Sequence, residues 1–168
     1  MSVLLCGWND GPESVHTGIL ERFAGWAASR IPHVRRPERF GAATIIAVCA
    51  EPRLDRDPLA AVVYHNDEPD CRCLEISMAA DTPRWATRGN IRACLHYPFR
   101  QLGYAVVVCR VPRKARRTKR FLSGIGFTIC GTVPRGFGDD DCSIYAMTRE
   151  QAARWLDRPT ETPDVRAA

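Results

Sequence analysis

The sequence predicts an α/β protein of the α+β kind: a central mixed, mostly antiparallel sheet of six to seven strands with one splayed parallel pair, flanked by three or four helices. Three observations predict it. Three β-rich runs, Ala43 to Cys49, Leu59 to Tyr64 and Cys71 to Met78, follow one another across medium loops, as antiparallel hairpins do. Helix-period patterns alternate with strand-like runs through the rest of the chain. The strand–helix–strand step around Thr87 to Leu102 permits one parallel pair in an otherwise antiparallel sheet. Parallel neighbours can splay and leave backbone groups to a ligand.

Each element has its own signal. Gly11-Pro12 precedes a helix with Val15, Ile19, Phe23 and Trp26 on one face, ending before Pro32. The basic, proline-containing stretch from His33 to Arg39 reads as loop. Pro52 to Pro58 and Asn66 to Asp70 separate the three β runs. A second helix covers about Thr87 to Leu102, with Ile91, Leu95, Phe99 and Leu102 as its apolar stripe and Gly103 as its stop. Pro98 within it should remove a hydrogen bond and bend it. Tyr104 to Val111, built on Val106-Val107-Val108, reads as a buried strand. A third helix spans about Arg113 to Ser123 and ends at Gly124 and Gly126. Strands Phe127 to Val133 and Cys142 to Met147 flank a Gly136–Asp141 turn. A short helix from Glu150 to Leu156 closes a single domain over residues 1–157, and residues 158–168 read as a flexible tail.

Composition bounds the function. With 168 residues, 45% hydrophobic and 26% charged, the chain fits one globular domain, which at this length buries about 70% of its unfolded surface. No apolar run approaches the ~20 residues that span a membrane. Met1 to Gly7 is apolar but lacks the basic flank of a signal peptide, so a cytoplasmic, reducing location is expected. Of eight cysteines, Cys6, Cys49, Cys94, Cys109 and Cys130 sit within apolar segments as small hydrophobes, and Cys71-x-Cys73 without a second pair is a poor metal signature. No metal is expected. The net charge is +5, and all but Lys114 and Lys119 of the 24 cations are arginine. The run Arg110, Arg113, Lys114, Arg116, Arg117, Lys119 and Arg120 reads either as a solvated helix face or as a grip for phosphates, nucleic acid or acidic protein.

The chemistry centres on Cys73-Leu74-Glu75-Ile76-Ser77-Met78 and the turn Trp85-Ala86-Thr87-Arg88-Gly89-Asn90. A strand with one carboxylate runs into a basic, glycine-containing loop that opens a helix. A helix N-terminus offers unpaired N–H groups and a positive dipole end, so it suits an anion. Glu75, about a dozen residues upstream, is a candidate proton acceptor. The bland readings are a solvent-side glutamate on an alternating strand and an ordinary helix start.

Phe121-Leu122-Ser123-Gly124-Ile125-Gly126-Phe127, then Cys130-Gly131-Thr132-Val133-Pro134-Arg135, resembles the helix–turn–strand segment of the GNAT (general N-acetyltransferase) superfamily. Asp139-Asp140-Asp141 and Ser143-Ile144-Tyr145-Ala146-Met147-Thr148-Arg149 resemble its closing strand. Leu59 to Tyr64 and Leu74 to Ala80 are similar to its third and fourth strands, and Trp85 to Leu102 to its cofactor-loop helix. The wording of this last segment is similar to GNAT-like proteins carried in phage genomes. The resemblance covers roughly residues 40–150.

The resemblance implies a GNAT-like fold and an acetyl-CoA-dependent N-acetyltransferase moving acetyl directly to an amine, on a small molecule or a protein. Glu75 resembles the fourth-strand general base. Met78, Ala79, Ala80 and Asp81 stand where backbone groups hold the pantetheine arm. Arg88, Gly89, Asn90 and Ile91 stand where N–H groups cradle the pyrophosphate, which Gly89 lets approach. Thr118 and Arg120 are further cofactor-binding candidates. The sequence departs from the family where Ala86 and Ile91 replace loop residues, Ala115 replaces an asparagine, and Leu122 replaces the tyrosine that protonates the leaving thiolate; water or Tyr145 would then supply that proton. Two alternatives stay open: a phage-type nucleic-acid-binding or DNA-modifying protein gripping through Arg113–Arg120, and an inactive interaction module. His65 and His96 read as surface or helix-face residues, Trp85 as packing against the loop, and Asp139–Asp141 as a solvated turn.

Overall fold

The computed structural model describes residues 2–12, 14–34 and 36–157; the expected tail at 158–168 lies outside them. Seven strands and four α-helices follow one another as β1 (Val3–Trp8), α1 (Val15–Arg30), β2 (Ala43–Cys49), β3 (Ala60–Glu68), β4 (Cys73–Ala80), α2 (Arg88–His96), β5 (Val106–Pro112), α3 (Arg116–Ile125), β6 (Thr128–Phe137), β7 (Asp140–Thr148) and α4 (Arg149–Leu156). The strands form a mixed sheet in the order β1-β2-β3-β4-β5-β7-β6. Among the described residues no helix is long and apolar enough to cross a membrane. The chain divides into two compact units. Among the described residues, one comprises those up to Asn66 with Ser77–Cys94, and the other Asp67–Ile76 with residues 95–157.

In the first unit, β1, β2 and β3 form an antiparallel meander, with Leu5 opposite Ala47 and Ile45 opposite Val63. The sequence reading missed β1, because its apolar run VLLCGW does not alternate. The strand lies close against α1: a Cβ on Gly7 would sit 2.5 Å from the Leu20 backbone nitrogen, so only glycine allows the approach. Ile19, Phe23, Trp26 and Ala27 of α1 pack on Leu5, Ile45, Ala47 and Val63. Ser14 caps α1 by accepting the Thr17 N–H. Val15, expected on the buried face, is 41% exposed.

In the second unit, β5 pairs in parallel with the start of β4 and antiparallel with β7, which pairs with the edge strand β6. The expected helix through Leu102 ends at His96 as regular α-helix. Pro98 sits in a π-helical turn, Tyr97–Gln101, closed by the Leu102 N–H on the Tyr97 carbonyl at 3.1 Å. Gly126, at φ 111°, ends α3 as a left-handed C-cap. Arg154 and Trp155 of α4 donate to the Gly124 and Ile125 carbonyls at 3.1 and 2.7 Å, occupying acceptors the ending helix leaves over. A capping box between Thr148 and Gln151 starts α4.

Candidate active site

Glu75 stands in the short parallel register of β4 on β5, where Cys73, Leu74 and Glu75 lie opposite Val106, Val107 and Val108. Its side chain is 14% exposed, and Arg110 Nε donates to Oε1 at 2.6 Å. Arg110 follows Val108 by two residues on β5, so strand alternation places both beside Glu75 on one face. Cys109 lies on the other face, where burial pushes its thiol far above the ordinary range, the Glu75 charge adding to the effect. Burial also pushes Cys94 up to about 12 and Cys49 to about 11. None of these thiols is a ready nucleophile. Cys130, expected in the apolar interior, is exposed, because it sits at a bulge of the edge strand.

Tyr145 does not share the Glu75 face. It lies opposite Cys109, whereas Ala146 lies opposite Val108, so the pleat turns its ring to the other side of the sheet, where it is buried. Tyr145, expected as a proton source for the leaving thiolate, thus stands on the face of the sheet opposite Glu75.

In the first unit, β4 continues through Ser77 to Ala80. Met78 is half-buried, Ala79 joins the core, and Ala80 is exposed. Asp81, expected to serve the pantetheine arm, is engaged elsewhere. Its N–H donates to the Leu59 carbonyl at 3.2 Å, and its carboxylate receives two bonds from Arg30, at 2.7 and 2.8 Å. The Arg30 guanidinium, itself 4.0 Å above the Trp26 ring, holds the Asp81 carboxyl below the usual carboxylate range.

The following loop is a built turn. Thr82 Oγ1 accepts the Arg84 N–H, and Trp85 is buried against it, as expected of a packing residue. Asn90, only 3% exposed, donates its amide to the Trp85 carbonyl at 2.6 Å and exchanges hydrogen bonds with the Ser2 hydroxyl. Thr87 caps α2: its Oγ1 accepts the Asn90 N–H at 3.2 Å, and its carbonyl accepts the Ile91 N–H at 3.0 Å. The cradle expected of Arg88 to Ile91 is therefore narrower. The Asn90 and Ile91 donors are taken up by Thr87 at the start of the helix. Arg84 and Arg88 are exposed beside them, so the turn combines cations, a helix N-terminus and a residue without a side chain, a set that fits a phosphate. On α3, Thr118 is half-buried and Arg120 exposed.

Two features escaped the sequence reading. His65 is 4% exposed rather than at the surface; its Nε2 lies 2.9 Å from Ser77 Oγ, and its ring is 5.4 Å from that of Phe40. The signal was present, since β3 runs to Glu68 and His65 continues the inward row of Ala61 and Val63. The second is a cleft of about 530 Å³ lined by Arg113, Lys114, Arg116 and Asp139 to Asp141. Asp141 accepts the Arg135 N–H and the Arg113 guanidinium, each at 3.0 Å, and both hold its carboxyl below the usual range. Asp140 accepts the Lys114 N–H at 3.1 Å. The solvated acidic turn of the sequence reading is thus bonded to the basic segment. Among the described residues no three His, Cys, Asp or Glu side chains are grouped to hold a metal.

No protein-family model and no curated protein matches this sequence. Solved structures do match the fold. Mutant forms of the spermidine/spermine N-acetyltransferase SpeG from Vibrio cholerae superpose with a TM-score of 0.67 at 12% identity, covering 92% of this chain and 98% of that one. The ribosomal-protein-S5-alanine acetyltransferase from Vibrio fischeri gives 0.59 at 10% identity over 79% and 88%. A T. thermophilus protein assigned provisionally as an acetyltransferase gives 0.58 at 17% identity over 70% of this chain; the chain spans 65% of that protein's length. At such identities the likeness is one of fold: the chain shares the fold of these acetyltransferase structures.

Proposed function

We propose that this chain is an acetyl-CoA-dependent N-acetyltransferase that moves acetyl directly to an amine. The observation that carries the reading is the sheet itself: a seven-stranded order with one parallel pair, β4 on β5, at its middle, and a capped helix N-terminus after β4. Its likeness to N-acetyltransferases extends over nearly the whole chain.

The roles follow from the chemistry of each part. Arg88 and Gly89, with Arg84 beside them, bind the diphosphate of the acyl carrier through N–H groups and charge. Backbone N–H groups of β4 near Met78 to Ala80 polarise the thioester carbonyl. Glu75 takes the first proton from the acceptor ammonium, with Arg110 holding its carboxylate in one orientation. Leu122 supplies no proton to the leaving thiolate.

The acceptor reading draws on the relatives, one named for spermidine and spermine and one for the alanine of ribosomal protein S5. A primary amine, on a polyamine or a peptide N-terminus, is the acceptor class. The nucleic-acid reading of Arg113–Arg120 has less support, since carboxylates interleave with those cations in the charged cleft. The test is mass spectrometry after incubation with isotope-labelled acetyl-CoA and a panel of spermidine, an alanyl peptide, a lysyl peptide and a DNA oligonucleotide. Label on an amine is expected. Label on the oligonucleotide alone would replace this reading by the DNA-modifying one.

A further inference from the structure

Between ammonium and amide the acceptor nitrogen sheds two protons, and Glu75 accounts for one. Tyr145 is on the opposite face of the sheet from Glu75, and Leu122 stands where a thiolate acid is usual, so neither handles the second. The first unit holds another proton-handling pair. Ser77 lies two residues beyond Glu75 on β4, and its Oγ is 2.9 Å from His65 Nε2 on β3. Ser77 is half-buried and His65 is 4% exposed, so an approaching group meets the hydroxyl before the ring. The imidazole continues a row whose other members, Ala61 and Val63, are apolar core residues, with the Phe40 ring tilted over it. Packing alone would be served by another aliphatic side chain, without the cost of burying ring nitrogens. A hydroxyl donates and accepts at once, so it can pass a proton through.

We propose that Ser77 and His65 form a relay for the second proton of the transfer. The inference rests on the acetyltransferase reading. Once the nitrogen has attacked the thioester carbonyl, its remaining excess N–H bond breaks as a new Oγ–H bond forms on Ser77. The original Oγ–H bond breaks as an Nε2–H bond forms on His65, whose other ring nitrogen carries the proton of the neutral tautomer. The nitrogen keeps the electron pair, the C–S bond breaks, and the thiolate leaves with its own pair. The imidazolium returns its proton through Ser77 to the sulfur or to water. Nothing is oxidised or reduced, and the sum is amine plus thioester to amide plus thiol. Ser77 is the group that touches the reacting nitrogen, and His65 acts through it.

The test compares His65→Gln, Ser77→Ala, Ser77→Thr and the His65→Gln/Ser77→Ala double variant, using whichever amine of the panel above the wild type acetylates. Gln keeps a hydrogen-bonding amide near Ser77 but takes no proton, and Thr keeps the hydroxyl. Removal of one acid–base group costs about 10²–10⁴-fold. A kcat loss in that range is expected for His65→Gln and Ser77→Ala, with KM and the acetyl-CoA Kd within about threefold of wild type. The double variant should be no worse than either single one, since both cut one path, and Ser77→Thr should keep most of the rate. A purely structural pair would lower Tm without that split. Wild-type kcat in His65→Gln, losses that multiply in the double variant, or a Thr variant as slow as Ala overturns the relay alone. A wild type that neither binds acetyl-CoA nor acetylates any amine of the panel overturns the acetyltransferase reading, and the relay with it.

Discussion

Asn90 is the side chain on which the loop before α2 hangs, and replacing it gives a signed prediction. It is 3% exposed, gives a 2.6 Å bond to the Trp85 carbonyl, and bonds the Ser2 hydroxyl through both its amide atoms. Asn90→Ala removes these contacts and desolvates what they leave. Counting the paired Ser2 bonds as one contact, two contacts at about 1 kcal/mol each, with part of the penalty for stranded polar groups, come to about 2–3 kcal/mol. For a chain of this size that lowers Tm by roughly 4–12 °C. Asn90→Asp separates hydrogen bonding from shape. It fits the same space, but it sets a carboxylate oxygen against the Trp85 carbonyl in place of an N–H donor, so it should be less stable than Ala near neutral pH. Thermal melts followed by circular dichroism read both. An Asp variant as stable as wild type, or an Ala variant within about 1 °C of it, refutes the claim that this amide holds the turn.

Glu75→Gln should lower kcat by about 10²–10⁴-fold with the acetyl-CoA Kd unchanged, measured by steady-state kinetics and calorimetry; an unaltered kcat removes Glu75 as the base. Gly7→Ala drives a Cβ to 2.5 Å from the Leu20 backbone nitrogen and should cost about 1–3 kcal/mol in a urea melt, whereas a neutral result would mean that β1 shifts freely on α1. Asp141 titrates below its ordinary 3.8 in the folded chain, through the Arg135 N–H and then Arg113. A carboxyl lowered on folding adds stability that is present above its unfolded pKa and is lost as pH falls through the folded one. Asp141→Asn should therefore lose less Tm than wild type between about pH 5 and 2; parallel acid limbs would count against the contact.

The fold was legible where periodicity was strong. The apolar stripe of α1, the Val106–Val108 run and the glycine after α3 each fixed an element, because each follows from local chemistry. What escaped depended on tertiary partners. β1 carries no alternation, and its strand character comes from β2 alongside and α1 beneath Gly7. Pro98 announced a disturbance but not its form, which the bond from Leu102 to Tyr97 decides. Site residues divide in the same way. The strand that carries Glu75 and the helix start at Arg88-Gly89 follow from spacing. Asp81, Asn90 and Ile91 have partners such as Leu59 and Thr87 that spacing does not show, and one register step sets Tyr145 on the other side of the sheet from Glu75. His65 was misread because the expected strand stopped at Tyr64, whereas β3 runs on to Glu68.

The proposed activity requires that the Arg88–Gly89 turn serve a diphosphate-linked acyl carrier. Calorimetric titration of the full chain with acetyl-CoA tests that most directly. Saturable one-to-one binding is expected, with a Tm that rises with ligand by the equivalent of about 2.7 kcal/mol at a hundredfold excess over Kd. Neither heat nor Tm shift at millimolar acetyl-CoA would contradict it.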